Sequence, residues 1–324
     1  MKIDLSIAIS SYNRDDKVAK TLTTLYQSDL SGVGAVEVIV IDDGSPKRVD
    51  DAVKQTGTPP GKFHLRVIRQ ENAGIGATRN RGYREARSDR ILLLDDDIIL
   101  PRDAINSLLA AQQKTAAAVI FGHYPFVTHS TEAVRRFAVE LYGYERITED
   151  EEFEKVDALT SGLLLLDRSK LPDREKFYRD DMTIPAAEEH EVIARFHRLG
   201  IPIYAANHLS AIHNHHLELR WLAAQQYKYG LATAEAIVKV PEIAEMERFN
   251  DLREKMNFNA GTGLRGWIKR FLASRPGRTV LLYAAQALER LAPAGDHNRL
   301  FGIMTSAYFW AGYRKGQVQF FKEL

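Results

Sequence analysis

Asp95, Asp96 and Asp97 stand in a row directly after the apolar run Ile91-Leu92-Leu93-Leu94. Adjacent carboxylates repel one another, and a divalent cation, which prefers oxygen ligands, is a ready means of keeping such a cluster ionised. Taken alone, the triplet reads better as a solvated acidic turn. Other polar groups change the balance. Tyr12 in Ser10-Ser11-Tyr12-Asn13, Asp43 in Asp42-Asp43-Gly44-Ser45, and Arg79 beyond the loop Asn72-Ala73-Gly74 each follow a short apolar run. An aromatic ring can stack on a base, a carboxylate can accept hydrogen bonds from a base edge, and a guanidinium can contact a phosphate. Each also has an ordinary alternative, as a turn tyrosine, an Asx-type turn and a surface arginine.

These groups act together only if the chain gathers them. The stretches 5–9, 37–41, 65–68 and 91–94 read as buried strands, and helical patterns fill the intervals from about Asp16 to Ser28, from Val49 to Gln55 and around Arg79-Asn80-Arg81. Repeated strand-helix units with near-continuous apolar strands predict an α/β fold, a mostly parallel sheet covered by helices on both faces. Strands of such a sheet end at a common rim, so Tyr12, Asp43, Arg79 and Asp95 are predicted to converge there.

Composition excludes several classes. The chain has 324 residues, 45% hydrophobic and 27% charged, which suits a globular protein with a sizeable core. Lys and Arg number 44 against 43 Asp and Glu, so a net charge of +1 gives no reason to expect a nucleic-acid partner. No cysteine is present, which removes disulfides, thiolate zinc sites and thiol nucleophiles and suits a reducing cytoplasm. The first residues lead straight into a strand, and no apolar run reaches membrane-span length. A cytoplasmic protein is expected, with peripheral contact at the inner membrane face as an option. A dinucleotide fold would need its glycine fingerprint after the first strand, whereas Gly74 and Gly76 follow the third, and a Walker-type phosphate loop is missing.

Four strings now carry a family resemblance: Ser11-Tyr12-Asn13-Arg14, Val38-Ile39-Val40-Ile41-Asp42-Asp43-Gly44-Ser45, Asn72-Ala73-Gly74 with Thr78-Arg79-Asn80-Arg81-Gly82, and Leu94-Asp95-Asp96-Asp97. In this order and spacing they resemble the family 2 glycosyltransferases of GT-A fold, over roughly the first two-thirds of the chain. The resemblance implies a nucleotide-sugar donor, with UDP as the expected nucleotide, a divalent metal (Mn2+ or Mg2+) and inversion at the anomeric carbon. It places Ser10, Tyr12, Arg14, Asp42, Asp43, Asn72, Gly74, Arg79, Asp95 and Asp96 around the donor. Asp95 and Asp97 become metal ligands.

Further matches lie downstream. Leu159-Thr160-Ser161-Gly162 followed by Leu163–Asp167 is similar to the family's small loop and strand beneath the acceptor. Ala187-Glu188-Glu189-His190-Glu191 stands where the family usually has Glu-Asp-x-Glu, whose aspartate resembles a general base in role. Glu189 occupies that place and is one methylene longer; Glu188 is the alternative. The competing reading is an acidic first helical turn, favoured by the helix dipole. His213 best matches a metal-ligating histidine after the next strand, with His215 as fallback and a surface histidine cluster as the ordinary alternative. Lys228 or Arg220 is expected to contact phosphate or acceptor. Asp95 and Asp97 are expected on one side of an extended segment, with Asp96 turned away and tolerant of substitution.

The domain expectation is a catalytic domain over 1–240, divided at 100 into nucleotide-binding and acceptor halves, and a helical C-terminal region over 241–324. Within the latter, 242–255 reads as charged helix, 257–266 as linker, and 267–291 and 299–321 as amphipathic helices. Their mixed aromatics and cations fit either a membrane surface or an appendage packed on the catalytic domain or on a second subunit, the latter being preferred. The acceptor is open: glycan, lipid-linked glycan, small molecule or carrier-bound group. A sugar nucleotidyltransferase and a catalytically silent nucleotide-sugar-binding protein are the alternative functions.

Overall fold

The structure is a computed structural model and describes residues 2–124, 130–142, 152–246, 256–258 and 262–321, without the side chains of 208–210. Two compact units emerge. The first comprises Met1–Pro125, Arg146–Asp180 and Arg195–His215, and the second Phe126–Glu145, Asp181–Ala194 and His216–Leu324.

In the first unit β1 (Leu5–Ser11) and β2 (Val36–Asp42) are buried along their whole length, as strands covered on both faces must be. They join β3 (Phe63–Arg69) and β4 (Arg90–Asp95) in parallel, with α1 (Asp15–Tyr26), α2 (Asp50–Gln55) and α3 (Ile75–Glu85) as the connections. Register sets the rim: Ser10 pairs with Asp95, and Ser11 with Asp42. The chain then forms β5 (Ile98–Ile99), α4 (Ala104–Thr115) and β6 (Val119–His123), and, beyond α5 (Glu132–Tyr142) of the second unit, β7 (Phe153–Val156) and β8 (Leu163–Asp167). After α6 (Glu188–Leu199) come β9 (Ile203–Ser210) and β10 (Ile212–His213). The eight-stranded sheet has the order β3-β2-β1-β4-β8-β6-β9-β7, and β5 pairs with β10 in a separate ribbon. The first four strands are parallel as predicted, whereas β8 runs antiparallel to both β4 and β6, and β7 antiparallel to β9. Its core includes Ile7, Ile9, Val38, Val40, Leu92, Leu94 and Leu163.

The second unit is helical, with α5 beside α7 (Leu219–Lys239), α8 (Gly263–Ala273), α9 (Arg275–Leu291) and α10 (Asn298–Phe320). Phe137, Leu222, Leu281, Phe301 and Met304 share one core. α7 belongs with these helices, so the units do not follow a boundary at 240. The cause is close helix packing: a Cβ on Gly312 of α10 would meet the Tyr227 carbonyl oxygen at 1.9 Å, and one on Gly230 of α7 the Phe309 carbonyl oxygen at 1.9 Å. The helix expected over 267–291 is two helices. Ser274 caps the second by accepting from Gly277 N, and Pro276 stands in its first turn. α8 starts at Gly263, inside the stretch read as linker. Of the charged helix expected over 242–255, residues 241–244 form a 3-10 turn and 247–255 lie outside the described residues.

Candidate functional site

The aspartates do not lie on an extended segment. β4 ends at Asp95, and the chain turns through Asp96-Asp97 before β5 begins at Ile98. The alternation that would set Asp96 apart is therefore broken. Asp96 is buried at 3% exposure, its carboxylate accepting from Ser11 Oγ (2.7 Å) and Arg14 (3.2 Å), while Thr21 Oγ1 donates to its carbonyl (2.8 Å). Burial pushes its carboxyl up to about 7 against the pull of Arg14. A side chain so enclosed and bonded is not one whose replacement costs nothing.

Asp97 is buried deeper still, at 1% exposure, and collects cationic partners. Arg14 lies 3.0 Å and Lys17 3.3 Å from its Oδ2, Arg14 from the N-cap and Lys17 from the first turn of α1. Its Oδ1 is 3.1 Å from His213 Nε2. Burial opposes the charge, but His213, Arg14 and Lys17 together hold Asp97 well below the usual carboxylate range. The β5–β10 ribbon makes this meeting possible: His213 pairs with Ile98, and Asn214 N donates to the Asp97 carbonyl (2.7 Å). His215 Nδ1 is 4.0 Å from Asp97 Oδ2. Its imidazole is held down to about 4, first by burial and then by His213 and Lys17.

Asp95 faces another way. Arg79 of α3 donates to it at 2.7 Å, and its backbone N–H donates to the Gly162 carbonyl (2.9 Å). Arg79 is set by its neighbours: its guanidinium lies 5.7 Å from the Tyr178 ring centre, and the Tyr178 hydroxyl donates to Ser161 (2.6 Å). The adjacent Asn80, fully buried, uses its whole amide on that segment. It accepts from Phe177 N and Tyr178 N and donates to the Tyr178 carbonyl and Asp180. Gly162 N donates to Tyr124 (3.1 Å), whose ring meets His213 edge-on at 5.6 Å.

The other predicted donor residues divide by exposure. Tyr12 is 49% exposed just beyond β1, and Ser10 lies beside Asp95 in register. Asp43 is buried, its carboxylate accepting from Gln70 (2.8 Å), Ala73 N (2.9 Å) and Gly74 N (3.0 Å); Asn72 donates to its carbonyl (3.1 Å). Asp43 thus shapes the Asn72-Ala73-Gly74 loop at the start of α3. Asp42 is fully buried, paired with Arg69 and accepting from Ser45 N, and so braces the rim from beneath.

Glu188 and Glu189 begin α6 in the second unit, Glu188 buried and Glu189 half-buried. Ala187 before them has φ +61°, a left-handed conformation that costs an L-residue on the order of 1 kcal/mol. The preceding segment is pinned in the same unit by Glu235 of α7, which is fully buried and accepts from Thr183 N (2.7 Å), Thr183 Oγ1 (2.7 Å), Ile184 N (2.9 Å) and Lys239 (2.7 Å).

A carboxylate oxygen and an imidazole nitrogen facing each other, Asp97 with His213, are donor chemistry that manganese accepts. Asp95 is turned to Arg79, and among the described residues no group of three or more His, Asp or Glu side chains forms a ready-made metal cage. Sequence reasoning missed Lys17, Tyr124, Tyr178 and Glu235. Only Lys17 left a signal, standing one helical turn after Arg14.

The fold has known counterparts. The mannosyltransferase PcManGT from Pyrobaculum calidifontis, solved with GDP-Man and Mn2+, matches with a TM-score of 0.62 at 15% identity, over 97% of this chain and 88% of that one. S. aureus TarS with UDP-GlcNAc matches with a TM-score of 0.52 at 14% identity, over 97% and 92%. Similarity at that level shows the fold alone. An uncharacterized glycosyltransferase of Haemophilus influenzae is 42% identical over 94 residues, 29% of each chain, so the chain spans less than a third of that relative's length. The family model described as glycosyl transferase family 2 matches residues 6–174, just over half the chain and all of the aspartate, glycine-loop and Gly162 segments, and the chain belongs to that family.

Proposed function

We propose that the chain transfers a sugar from a nucleotide-sugar donor, a UDP sugar in the first instance, to an acceptor hydroxyl with inversion. The observation that carries this reading is the rim of β1 and β4, where Asp97 is kept ionised by Arg14, Lys17 and His213, beside the Asp95–Arg79 pair. The base is expected against Tyr12, and the diphosphate against Arg14, Lys17 and Arg79. The solved counterparts carry both GDP and UDP sugars, so the fold accommodates either base.

Asp97 with His213 would hold a divalent metal, joined by Asp95, and His215 would stand behind His213. When bound, the metal supplies positive charge to the leaving diphosphate. The chain's own cations do the same work from fixed positions. In the single displacement the acceptor oxygen forms its bond to the anomeric carbon as the bond to the diphosphate oxygen breaks. The hydroxyl proton passes to Glu189, with Glu188 as the alternative acceptor of that proton.

A thermal-shift panel of nucleotide sugars with and without manganese tests this, since a ligand binding only the folded state raises its stability. A UDP sugar is expected to shift the transition with manganese, and Glu189→Gln to keep that shift while losing transfer. If no nucleotide sugar shifts the wild-type chain under either condition, the reading is wrong. Released nucleoside diphosphate marks glycosyl transfer; pyrophosphate released from a nucleoside triphosphate and a sugar phosphate would mark a nucleotidyltransferase instead.

A further inference from the structure

Two segments of the second unit mix aromatics with cations, and the structure separates them. In α10 the aromatics are consumed by packing: Phe309 and Tyr313 are buried against α7. In α8 they are not. Leu264, Trp267, Ile268 and Phe271, spaced as one helical face, are all exposed, Leu264 at 72% and Trp267 at 60%, and the Trp267 and Phe271 rings stack at 6.1 Å. The opposite face, Gly266 and Ala273, is the buried one. At about 100° per residue, Arg265 and Arg270 flank the apolar stripe on either side, and both are exposed, as is Lys269.

The charges on α8 and the start of α9 have one sign. Between Lys255 and Glu289 the sequence contains Arg265, Lys269, Arg270, Arg275 and Arg278 and no Asp or Glu, in a chain whose net charge is +1. We propose that the exposed face of α8 docks on an anionic phospholipid surface, with Trp267 and Phe271 entering the interface and Arg265, Lys269 and Arg270 on the headgroups. A second copy of this chain fits poorly. A two-fold contact through this face would set like charges against each other. Among the described residues no helix is long and apolar enough to cross a membrane, so the contact is with a surface. The proposal stands apart from the sugar-transfer reading, and neither depends on the other's test.

The experiment is co-sedimentation of the full chain with phosphatidylcholine vesicles, with and without roughly one-third phosphatidylglycerol. Sedimentation is expected with the anionic vesicles, reversed by high salt, with a blue shift of tryptophan emission that Trp267→Phe removes. The triple variant Leu264→Ser, Trp267→Ser, Phe271→Ser should bind about tenfold or more weakly while its circular dichroism and unfolding midpoint stay unchanged, because these side chains support no core. A wild-type chain that remains in the supernatant with anionic vesicles overturns the proposal, as does a folded triple variant that sediments like wild type. Concentration-dependent dimerisation abolished by the triple variant would assign the face to a second copy and overturn it equally.

Discussion

Gly162→Ala separates the stability of the first unit from the geometry of its site. A Cβ there would stand 2.8 Å from Cζ and the hydroxyl of Tyr124 and 2.9 Å from Asp95 Oδ2. Carbon contacts settle at about 3.5–4.0 Å, so the Tyr124 ring must retreat by roughly 0.7 Å or more, and the carboxylate by somewhat less. Both neighbours are side-chain ends, which makes yielding feasible, and overpacking of this kind costs about 1–3 kcal/mol. Both are also tethered. Asp95 is held by Arg79 on its far side, and the Tyr124 ring lies against His213. The displacement therefore reaches two of the proposed metal ligands at once, and a misplacement near 1 Å in such a site costs on the order of a hundredfold in rate. The expected result is a folded variant with an apparent melting point a few degrees lower. Donor turnover should fall by about two orders of magnitude. Gly32→Ala is the control, since its Cβ would meet nothing within 4 Å. Wild-type turnover in a fully stable Gly162→Ala chain would show that Asp95 and Tyr124 do not frame the reacting groups.

Two further substitutions probe the second unit. Gly312→Ala should lower the urea midpoint by an amount corresponding to about 3 kcal/mol, because its methyl group can be accommodated only by parting α7 and α10; an unchanged midpoint would disprove that close approach. Glu235→Ala leaves the Thr183 and Ile184 amides and Lys239 without their buried carboxylate, a loss of about 3–5 kcal/mol, read as faster hydrogen exchange at both amides, with Glu235→Gln intermediate. Burial opposes ionisation of Glu235, yet Lys239 and Thr183 hold its pKa below 4.5. Its contribution should accordingly be complete above pH 4.5 and disappear on acidification below that value.

How much could be read from the sequence follows from how local each determinant is. β1, β2 and β4 were legible because a strand buried on both faces must be apolar along nearly its whole length, β3 from its alternating apolar positions, and the helices between them because their patterns are short-range. Convergence of Arg79 on Asp95 followed from topology alone. The turn at Asp96-Asp97 was hidden, because it is set by pairing with β10 more than a hundred residues away, through strands of two residues that carry no periodicity. Tyr124 and Tyr178 reach the site by long-range hydrogen bonds, and Glu235 pins its segment across 51 residues. The break at Ser274 was written in Pro276, whereas the different fates of the aromatic faces of α8 and α10 depend on which helix finds a glycine-lined partner.

Charge at the rim also couples the ligands of the proposed site to one another. Asp95, Asp96 and Asp97 meet Arg14, Lys17 and Arg79, three carboxylates against three cations, and burial pushes the Asp96 carboxyl up, so the side chains alone come close to balance. A nucleotide-sugar diphosphate brings a charge of about −2 and a divalent metal +2, and in this partly buried setting either one alone leaves an imbalance that low dielectric makes costly. Together they restore neutrality. On the proposed reading, metal and donor therefore bind with positive coupling, each strengthening the other by the same factor, typically about 5- to 150-fold. Isothermal titration of the donor with and without manganese, and of manganese with and without the donor, measures both sides of that equality. Asp97→Asn removes one negative charge from the rim, which should strengthen donor binding in the absence of metal and weaken the coupling. Equal donor affinities with and without manganese would mean that Arg14, Lys17 and Arg79 carry the diphosphate by themselves, and that the Asp97–His213 contact is structural.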